Sequence, residues 1–286
     1  MLTGHRIVVT GAGGGLGGEI SRTLAELGAV VHLWGRREAS LAEVNESLES
    51  IRPGSSVAQS VDVRDADAVE AAFDAAEELG PVTGVVNGAA ANFVAPTAGL
   101  SPRAYRAVVS TVMDGSYNTT HAAGTRWIAA GRPGAVVSLL TSWVWTGSAY
   151  VVPSAMAKAA VHAMTLSLAA EWAQYGIRLN AIAPGPVHTD FAWQMLDPGR
   201  DDVVAATDPR GVPLGRLGTP QEVANLVAFL LSDACDYLTG ETIAMDGAQR
   251  LAGPATFAPL AELRDEDWMR IRERARAASE ANRPRS

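Results

Sequence analysis

The chain has 286 residues, of which 48% are hydrophobic and 19% are charged, and its 31 acidic and 23 basic residues give a formal net charge of −8. This size and composition predict a globular protein of one large domain or two small ones. The acidic balance argues against binding to nucleic acid or to an anionic membrane surface. The first residues lack the apolar segment of a signal peptide, and no apolar run approaches the roughly twenty residues of a membrane span, so we expect a cytoplasmic protein.

The basic residues are almost all arginine. Lys158 is the only lysine, which leaves 23 − 1 = 22 arginines. A lysine kept in such a chain indicates a need for a compact ammonium group with an adjustable pKa, and chance in an arginine-biased chain is the alternative. Cys235 is the only cysteine and cannot form an internal disulfide or a structural zinc site, so we interpret it as structural and predict no metal.

Apolar, β-branched runs alternate with segments of helical periodicity along most of the chain. Residues 6–10 predict a buried strand, residues 16–28 a helix and residues 29–34 the next strand. The alternation continues with strands predicted at 57–61, 82–87, 135–140, 177–183 and 242–245, and with helices at 38–50, 66–79, 103–130, 154–175 and 221–232. Continuous apolar strands separated by helices are typical of a single-domain α/β fold, a Rossmann-like doubly wound parallel sheet with helices on both faces.

Two segments depart from this alternation. Residues 184–218 are rich in proline and glycine and predict a lid over a substrate rather than a linker. In the tail, residues 251–286, three acidic residues at 265–267 precede four arginines, a charge order that complements a helix dipole. We therefore predict one domain over residues 1–250 and a C-terminal helix that packs on it.

A glycine-rich loop follows the first predicted strand and opens the first predicted helix. Gly11 can make the tight turn, while Gly15 and Gly17 let the backbone approach a pyrophosphate and the sheet, and the helix N-terminus supplies amide donors. A tight strand-to-helix turn without a ligand is the alternative. In this context we predict dinucleotide binding by Gly11, Gly13, Gly14, Gly15, Leu16 and Gly17.

The end of the second predicted strand indicates which nicotinamide cofactor binds. An acidic residue there would accept hydrogen bonds from the ribose 2′-hydroxyl and repel a 2′-phosphate. This chain has Arg36 and Arg37 instead, so we predict NADP(H), although the two arginines could also simply begin a solvated helix.

Polar residues also follow the third and fourth predicted strands. Asp62, with Val63 beside it, is placed to meet the adenine edge. Asn87 and Gly88 lie where a loop would pass beneath the cofactor. Both Asp62 and Asn87 could instead cap the helix that follows.

These motifs resemble those of the short-chain dehydrogenase/reductase superfamily over essentially the whole chain. Residues 10–17 match its glycine motif and residues 86–90 resemble its Asn-Asn-Ala-Gly segment. Residues 184–189 match its nicotinamide-side motif, which implies cofactor contacts from Pro184, Gly185, Val187 and Thr189. Within the superfamily, residues 92–97 with 100–102, 150–155, 167–172 and 267–268 look like 2,4-dienoyl-CoA reductases of the mitochondrial type. The resemblance implies an acyl-CoA substrate and a homodimer or homotetramer.

The catalytic positions that the resemblance implies are partly changed. Lys158 matches the lysine of the superfamily's Tyr-x-x-x-Lys pair, but Ser154 stands in place of the tyrosine. The dienoyl-CoA reductase branch carries serine there and takes its tyrosine from eleven residues upstream, where this chain has Trp143. The branch's active-site asparagine is also replaced, because Asp114 precedes Gly115.

These changes favour reduction of a conjugated C=C bond over reduction of a carbonyl. An alkoxide needs a proton from an acid, whereas an enolate on a thioester oxygen needs only hydrogen-bond donors. Ser154 and Trp143 can donate, and Lys158 would hold the nicotinamide ribose. Asp114 could pair with Lys158 directly or through water, or be neutral in a buried site.

Four further residues are candidates for substrate contact. Thr141 could donate to a carbonyl or cap the strand end, and Phe93 and Trp145 could form the wall of an acyl pocket or belong to the core. Tyr150 lies near the site and is the acid of an alternative function, a carbonyl reductase. The sequence thus predicts NADPH-dependent reduction of a 2,4-dienoyl-CoA or enoyl-CoA, with a carbonyl reductase and an NADP-binding pseudoenzyme as alternatives.

Overall fold

A parallel sheet of seven strands forms the centre of the part of the protein that the structure describes. The computed structural model describes residues 1–189, 209–252, 260 and 263–281. Its strand order is β3-β2-β1-β4-β5-β6-β7, with every neighbouring pair parallel. The strands are β1 (Arg6–Thr10), β2 (Val30–Gly35), β3 (Ser56–Ser60), β4 (Gly84–Asn87), β5 (Gly134–Leu139), β6 (Ile177–Pro184) and β7 (Thr242–Met245).

Helices connect the strands and cover both faces of the sheet. They are α1 (Gly15–Glu26), α2 (Glu38–Ile51), α3 (Ala66–Glu78), α4 (Pro102–Val109), α5 (Gly115–Ala130), α6 (Trp143–Thr146), α7 (Val152–Trp172), α8 (Pro220–Leu231), α9 (Gln249–Ala252) and α10 (Asp265–Ala281). A π-helical turn, Ser110–Asp114, joins α4 to α5. Short 3₁₀ turns occupy Thr97–Gly99, Ala173–Tyr175, Pro209–Gly211 and Asp233–Cys235.

Strand β1 contributes side chains to the hydrophobic clusters on both faces of the sheet. Ile7 and Val9 point to one face, where they join the cluster formed with α1, α2 and α8. Val8 points to the other face and packs in the cluster that contains Phe73 of α3 and Trp127 of α5. This alternation is what a buried parallel strand requires, and the predicted doubly wound fold is confirmed.

Element ends differ from the predictions by a few residues, and local contacts explain the larger differences. Strand β4 begins at Gly84 rather than residue 82, since the Val82 carbonyl accepts a hydrogen bond from the Trp127 indole at 2.8 Å. Helix α1 ends at Glu26, and Gly28 makes the turn into β2 with a φ of 104°. Such a positive φ favours glycine, so this residue ends the helix.

The predicted lid and tail are only partly described. Val187 and Gly218, near the two ends of the lid segment, form an isolated parallel bridge. Residues 190–208 lie outside the described residues, and the lid stays a prediction. Helix α10 of the tail packs through Trp268 and Ile271 against Val94 and Val151. Among the described helices, none is long and apolar enough to cross a membrane.

Candidate active site

The loops that leave β1 and β4 are in close contact. A Cβ atom on Gly11, whose φ is +73°, would lie 2.8 Å from the Gly88 carbonyl oxygen. A Cβ atom on Gly88 would lie 2.7 Å from the Thr10 carbonyl oxygen. The Thr10 hydroxyl accepts hydrogen bonds from the amides of Gly88 at 3.0 Å and Ala89 at 3.1 Å. Glycine at positions 11 and 88 is therefore needed because the two backbones touch.

The N-terminus of α1 is open to a ligand. Its N-cap residue, Gly14, has a φ of 133° and makes no side-chain cap, and a Cβ there would meet nothing within 4 Å. Gly17, by contrast, packs against the turn, since its Cβ would lie 2.2 Å from the Gly11 oxygen. The helix thus begins without a side-chain cap, beside open space at Gly14 and after a turn held by backbone contact, an arrangement that suits a pyrophosphate.

The remaining residues of the loop and of the 184–189 motif complete this region. Gly13 lies against Ser40 of α2, and Leu16 packs at the edge of the core. The Thr189 side chain approaches Gly15, with 3.8 Å between its Cβ and a Cβ placed on the glycine. Gly185 follows Pro184 at the end of β6, and a Cβ there would lie 2.7 Å from Asp246 Cα. The structure therefore brings the two predicted cofactor motifs together.

Charged residues surround the ends of β2 and β3. Arg36 is exposed, and its guanidinium makes no hydrogen bond with the described residues. Asp62 forms a two-point ion pair with Arg64, with Nε–Oδ1 at 2.9 Å and Nη2–Oδ2 at 2.5 Å. Hydrogen bonds from Arg64 lower the pKa of Asp62, and the charge of Arg36 adds to the effect, so the three groups lie within electrostatic reach.

The proposed capping roles of Asp62 and Asn87 are wrong. Asp65 caps α3 instead, by accepting hydrogen bonds from two amides of its first turn. Asn87 Nδ2 donates to Thr120 Oγ1 at 2.8 Å and to Ser138 Oγ at 3.2 Å, so its amide bridges α5 and β5. Its Oδ1 atom is buried and has no donor among the described residues.

Two polar residues beside the adenine side were not predicted from the sequence. Arg64 engages Asp62, and Asn118 Nδ2 donates to the Val63 carbonyl at 2.9 Å. For Arg64, the sequence does contain a signal: an acidic and a basic residue, Asp62 and Arg64, stand two positions apart after a strand. Asn118 lies on α5, far from Val63 in the sequence, and only the fold brings the two together.

Lys158 lies buried on α7, and its ammonium group donates a hydrogen bond to the Leu139 carbonyl at the end of β5. Burial lowers the pKa of Lys158 from 10.5 to about 8. Ser154, one turn earlier, is also buried, and its hydroxyl makes no hydrogen bond with the described residues. The lone lysine therefore holds a positive charge in a nearly dry position beside an available hydroxyl donor.

Trp143 and Tyr150 face the tail of the chain. Trp143 begins α6, immediately beyond β5, and both rings pack against a cluster that includes Val151 and Trp268. The Tyr150 ring lies 4.8 Å from the Trp268 ring between centroids. No hydrogen bond joins the Tyr150 hydroxyl to Lys158 among the described residues.

No direct contact between Asp114 and Lys158 occurs among the described residues, and Asp114 does not lie in a buried site; pairing through water stays a prediction. Asp114 is exposed and lines an open groove of about 280 Å³ with Tyr117 and Met164. Gly115, the next residue, faces the interior, because a Cβ atom on it would lie 2.5 Å from Val63 Cγ2. Successive helical residues point about 100° apart, so the residue before it is turned away.

The candidate substrate residues Phe93, Thr141 and Trp145 have different neighbours in the structure. Phe93 packs beside Val108 and Val112 and against Ala157, the residue before Lys158. Thr141 is half-buried, and its hydroxyl caps no strand end among the described residues. Trp145 is 43% exposed, with the Arg250 guanidinium 5.1 Å from its ring centroid.

Trp145 and Phe93 therefore have different neighbours, and their role in an acyl pocket stays a prediction. Trp145 follows Trp143 by two positions in α6, so it points about 200° away from the side that faces the tail. Its ring stands edge-on to His162, with 6.3 Å between centroids. It belongs to neither the core clusters nor the group around Trp143 and Tyr150.

The geometry fits a nicotinamide dinucleotide. The open amides of α1 suit its pyrophosphate, and Arg36 lies at the strand end where a ribose would be recognised. Lys158 and Ser154 lie at the carboxyl edge of the sheet, the edge where doubly wound folds bind ligands. This arrangement can bind a dinucleotide and stabilise negative charge that develops on a substrate oxygen.

Comparison with known proteins agrees with this geometry. A family model described as Enoyl-(Acyl carrier protein) reductase matches residues 11–248. A Bacillus subtilis (strain 168) protein named "Probable 2,4-dienoyl-CoA reductase [(2E)-enoyl-CoA-producing]" is 38% identical over 86% of this chain and 96% of its own. A Caenorhabditis elegans protein named "Probable 2,4-dienoyl-CoA reductase 3 [(3E)-enoyl-CoA-producing]" is 39% identical over 87% of this chain and 81% of its own.

Solved structures show the same fold. A short chain dehydrogenase from Bacillus anthracis superposes with a TM-score of 0.78 at 35% identity, over 86% of this chain and 96% of that one. A gluconate 5-dehydrogenase from Burkholderia cenocepacia, in complex with NADP and tartrate, superposes with a TM-score of 0.81 at 30% identity, over 88% and 97%. The chain therefore belongs to the short-chain dehydrogenase/reductase family of oxidoreductases.

Proposed function

We propose that the protein is an NADPH-dependent reductase of an α,β-unsaturated acyl-CoA, either a 2,4-dienoyl-CoA or an enoyl-CoA. One observation carries the proposal: a buried Lys158 and a buried Ser154 stand together, without a tyrosine hydroxyl bonded to either among the described residues. This donor set suits an enolate better than an alkoxide, because an enolate needs stabilisation rather than immediate protonation. The names of the curated relatives support the same substrate class.

The cofactor proposal rests on Arg36. Its exposed guanidinium follows β2, where an acidic residue would instead select a free ribose 2′-hydroxyl. A guanidinium can bind a 2′-phosphate with two parallel hydrogen bonds. We therefore assign the 2′-phosphate of NADP(H) to Arg36, with Arg37 at the N-cap of α2 beside it.

The residues act on the charge that reduction creates. A nicotinamide held by the glycine loop and Lys158 would supply the hydride for the distal carbon of the conjugated system. As electrons move toward the thioester oxygen, the Ser154 hydroxyl donates a hydrogen bond to it, and the Trp143 indole N–H is the second donor. Lys158 stabilises the developing anion through its positive charge. Collapse of the enolate then takes a proton onto carbon from water, so no tyrosine acid is required.

Reduction of a carbonyl by Tyr150 is the weaker alternative. The Tyr150 ring packs on Trp268, and a catalytic tyrosine needs a lysine close enough to stabilise its phenolate. No hydrogen bond joins Tyr150 to Lys158 in the described residues. The retained Lys158 likewise argues against a pseudoenzyme, which has no need of a buried ammonium.

We also propose a homodimer or homotetramer assembled through α5 and α7. Their outer faces expose Tyr117, Met156 and Leu166, and the Asp114 groove lies between them. Large exposed apolar residues in one area are typical of a protein interface. Light scattering of the purified protein measures the oligomeric state. The cytoplasmic location stays a prediction.

The test of function is a substrate panel with NADPH. We expect turnover of a 2,4-dienoyl-CoA or a 2-enoyl-CoA, measured as loss of NADPH absorbance, and no turnover of a 3-ketoacyl-CoA. A cyclohexenyl thioester tests whether a cyclic acyl group is accepted. Turnover of the ketone alone would reverse the assignment in favour of carbonyl reduction, and NADPH binding without any turnover would favour the pseudoenzyme.

A further inference from the structure

The C-terminal helix contributes to a hydrophobic cluster beside the candidate active site. The buried members of this tail cluster are Val94, Val151, Leu260, Leu263, Trp268 and Ile271. Trp143 and Tyr150 are partly buried and pack against it, and Val151 precedes Ser154 by three residues at the start of α7. The cluster thus joins the segment after β4, the residues just before α7 and the tail of the chain.

Trp143 belongs both to the proposed donor set and to this cluster. An acyl thioester whose oxygen is held near Ser154 and Trp143 must extend its acyl chain past one of the surfaces next to Trp143. The tail cluster is such a surface, and it is apolar, as an acyl chain requires. A wall built from the tail can therefore limit how far an acyl chain reaches.

Tyr150 is held in an unusual conformation at this wall. Its φ is 64°, in the left-handed region that a bulky residue rarely adopts. Its carbonyl accepts a hydrogen bond from the Ala95 amide at 2.9 Å, and its ring rests on Trp268 at 4.8 Å. Such a conformation persists only where surrounding contacts enforce it, so the packing of Trp268 helps to fix the direction of the Tyr150 ring.

We propose that Trp268 determines acyl-chain specificity by holding Tyr150 as the distal wall of the acyl pocket. This inference rests on the proposed function, because it concerns the substrate of the same site. Trp268 is 7% exposed and acts as a positioning residue through Tyr150, without contact with the reacting atoms. Removal of its ring creates space behind Tyr150 and moves the wall away from the thioester.

The test compares hexa-2,4-dienoyl-CoA with deca-2,4-dienoyl-CoA and hexadeca-2,4-dienoyl-CoA. In Trp268→Ala we expect the ratio of kcat/KM for the long substrates to that for the short one to rise about tenfold. The dissociation constants of the corresponding product acyl-CoAs, measured without cofactor, should shift in the same direction. NADPH affinity should stay unchanged, since the glycine loop is separate from the tail cluster.

Met269→Ala is the matched control, because Met269 neighbours Trp268 on α10 and is 53% exposed. It should leave the chain-length profile as in the wild type. Tyr150→Ala should reproduce the shift of Trp268→Ala, and the double variant should add little to either. If Trp268→Ala does not fold, Tyr150→Ala supplies the same measurement while Trp268 and Ile271 keep α10 docked.

Different failures have different meanings. A folded Trp268→Ala with the wild-type profile overturns the inference and leaves the proposed function intact. An equal loss of activity on all chain lengths, with a lower melting temperature, also overturns it, because Trp268 would then only anchor the helix. A wild-type enzyme that reduces no thioester overturns both proposals.

Discussion

The cofactor side and the substrate side of this protein are built by different physical means. Around β1 and α1, backbone packs on backbone, and the glycines at 11, 17 and 88 leave no room for a Cβ atom. Around α6 and α10, aromatic and aliphatic side chains fill the space instead. Side-chain packing can be rebuilt with other residues of similar volume, whereas backbone contact cannot. We therefore expect the cofactor side to tolerate fewer substitutions than the substrate side.

Substitution of the buried lysine should have the largest effect on activity. Lys158→Met removes the positive charge beside the developing enolate and leaves the Leu139 carbonyl without its donor. We expect kcat/KM for the unsaturated thioester to fall about a thousandfold. Steady-state kinetics checks this, with melting temperature as the control for folding. NADPH affinity is measured separately, because Lys158 is also expected to hold the nicotinamide ribose. A loss below tenfold would contradict the role assigned to the ammonium group.

Two neighbouring glycines test the rigidity of the cofactor side. In Gly17→Ala the new Cβ would lie 2.2 Å from the Gly11 oxygen, so we expect a loss of about 3 kcal/mol in unfolding free energy. Gly18→Ala is the control in the same helix, since its Cβ would have an ordinary 3.6 Å contact with Val44. It should be neutral or stabilising by up to about 1 kcal/mol. Urea denaturation of both variants measures the two free energies of unfolding. Equal stabilities would contradict the view that backbone contact makes the cofactor side intolerant of a Cβ atom.

The pH dependence of stability should report the burial of Lys158. Burial lowers its pKa from 10.5 to about 8, so the unfolded chain binds more protons than the folded chain between these two values. Below about pH 8, burial of the charged ammonium group lowers the free energy of unfolding by about 3 kcal/mol. This cost disappears as the pH rises from about 8 to 10.5, because the lysine then loses its charge. Relative to Lys158→Met, the wild type should gain stability across the window.

Activity should change in the opposite direction, because the neutral amine no longer stabilises an anion. We expect kcat/KM to fall as the pH rises through about 8, the pKa of Lys158. Denaturation and kinetics at a series of pH values measure the two effects on the same protein. A flat difference in stability between wild type and Lys158→Met would show that the lysine is not buried in solution.

Exchange of Arg36 should alter cofactor choice and leave the substrate side unchanged. Arg36→Ser removes the guanidinium assigned to the 2′-phosphate, so we expect kcat/KM for NADPH to fall about tenfold to a hundredfold. The value for NADH serves as the internal control and should hold steady. Equal losses with both cofactors would assign Arg36 a structural role at the start of α2.

The smallest effect is expected from Tyr150→Phe. The hydroxyl makes no hydrogen bond with the described residues, and the ring contact with Trp268 is kept. We expect a change in kcat of less than about threefold. Complete loss of turnover would revive carbonyl reduction, with Tyr150 as the acid.

The sequence predicts the fold and the cofactor loop well because both depend on local patterns. The alternation in β1 and the glycines before α1 are visible in a few consecutive residues. The bridging role of Asn87 is hidden, because its partners Thr120 and Ser138 lie on later elements. The contact of Tyr150 with Trp268 likewise joins residues far apart in the chain. The exposure of Asp114 is also hidden, because the resemblance gives a position but not the direction of the side chain.

The hydrogen bonds of the Thr10 hydroxyl connect strands β1 and β4. The hydroxyl donates to the Val86 carbonyl and accepts from the two amides that follow β4, so a single small side chain fastens the first strand to the fourth. The chain downstream of that junction, from residue 90 onward, starts from a fixed point. Substitutions between this junction and the start of α4 at Pro102 therefore leave the connection of the first strand to the fourth intact.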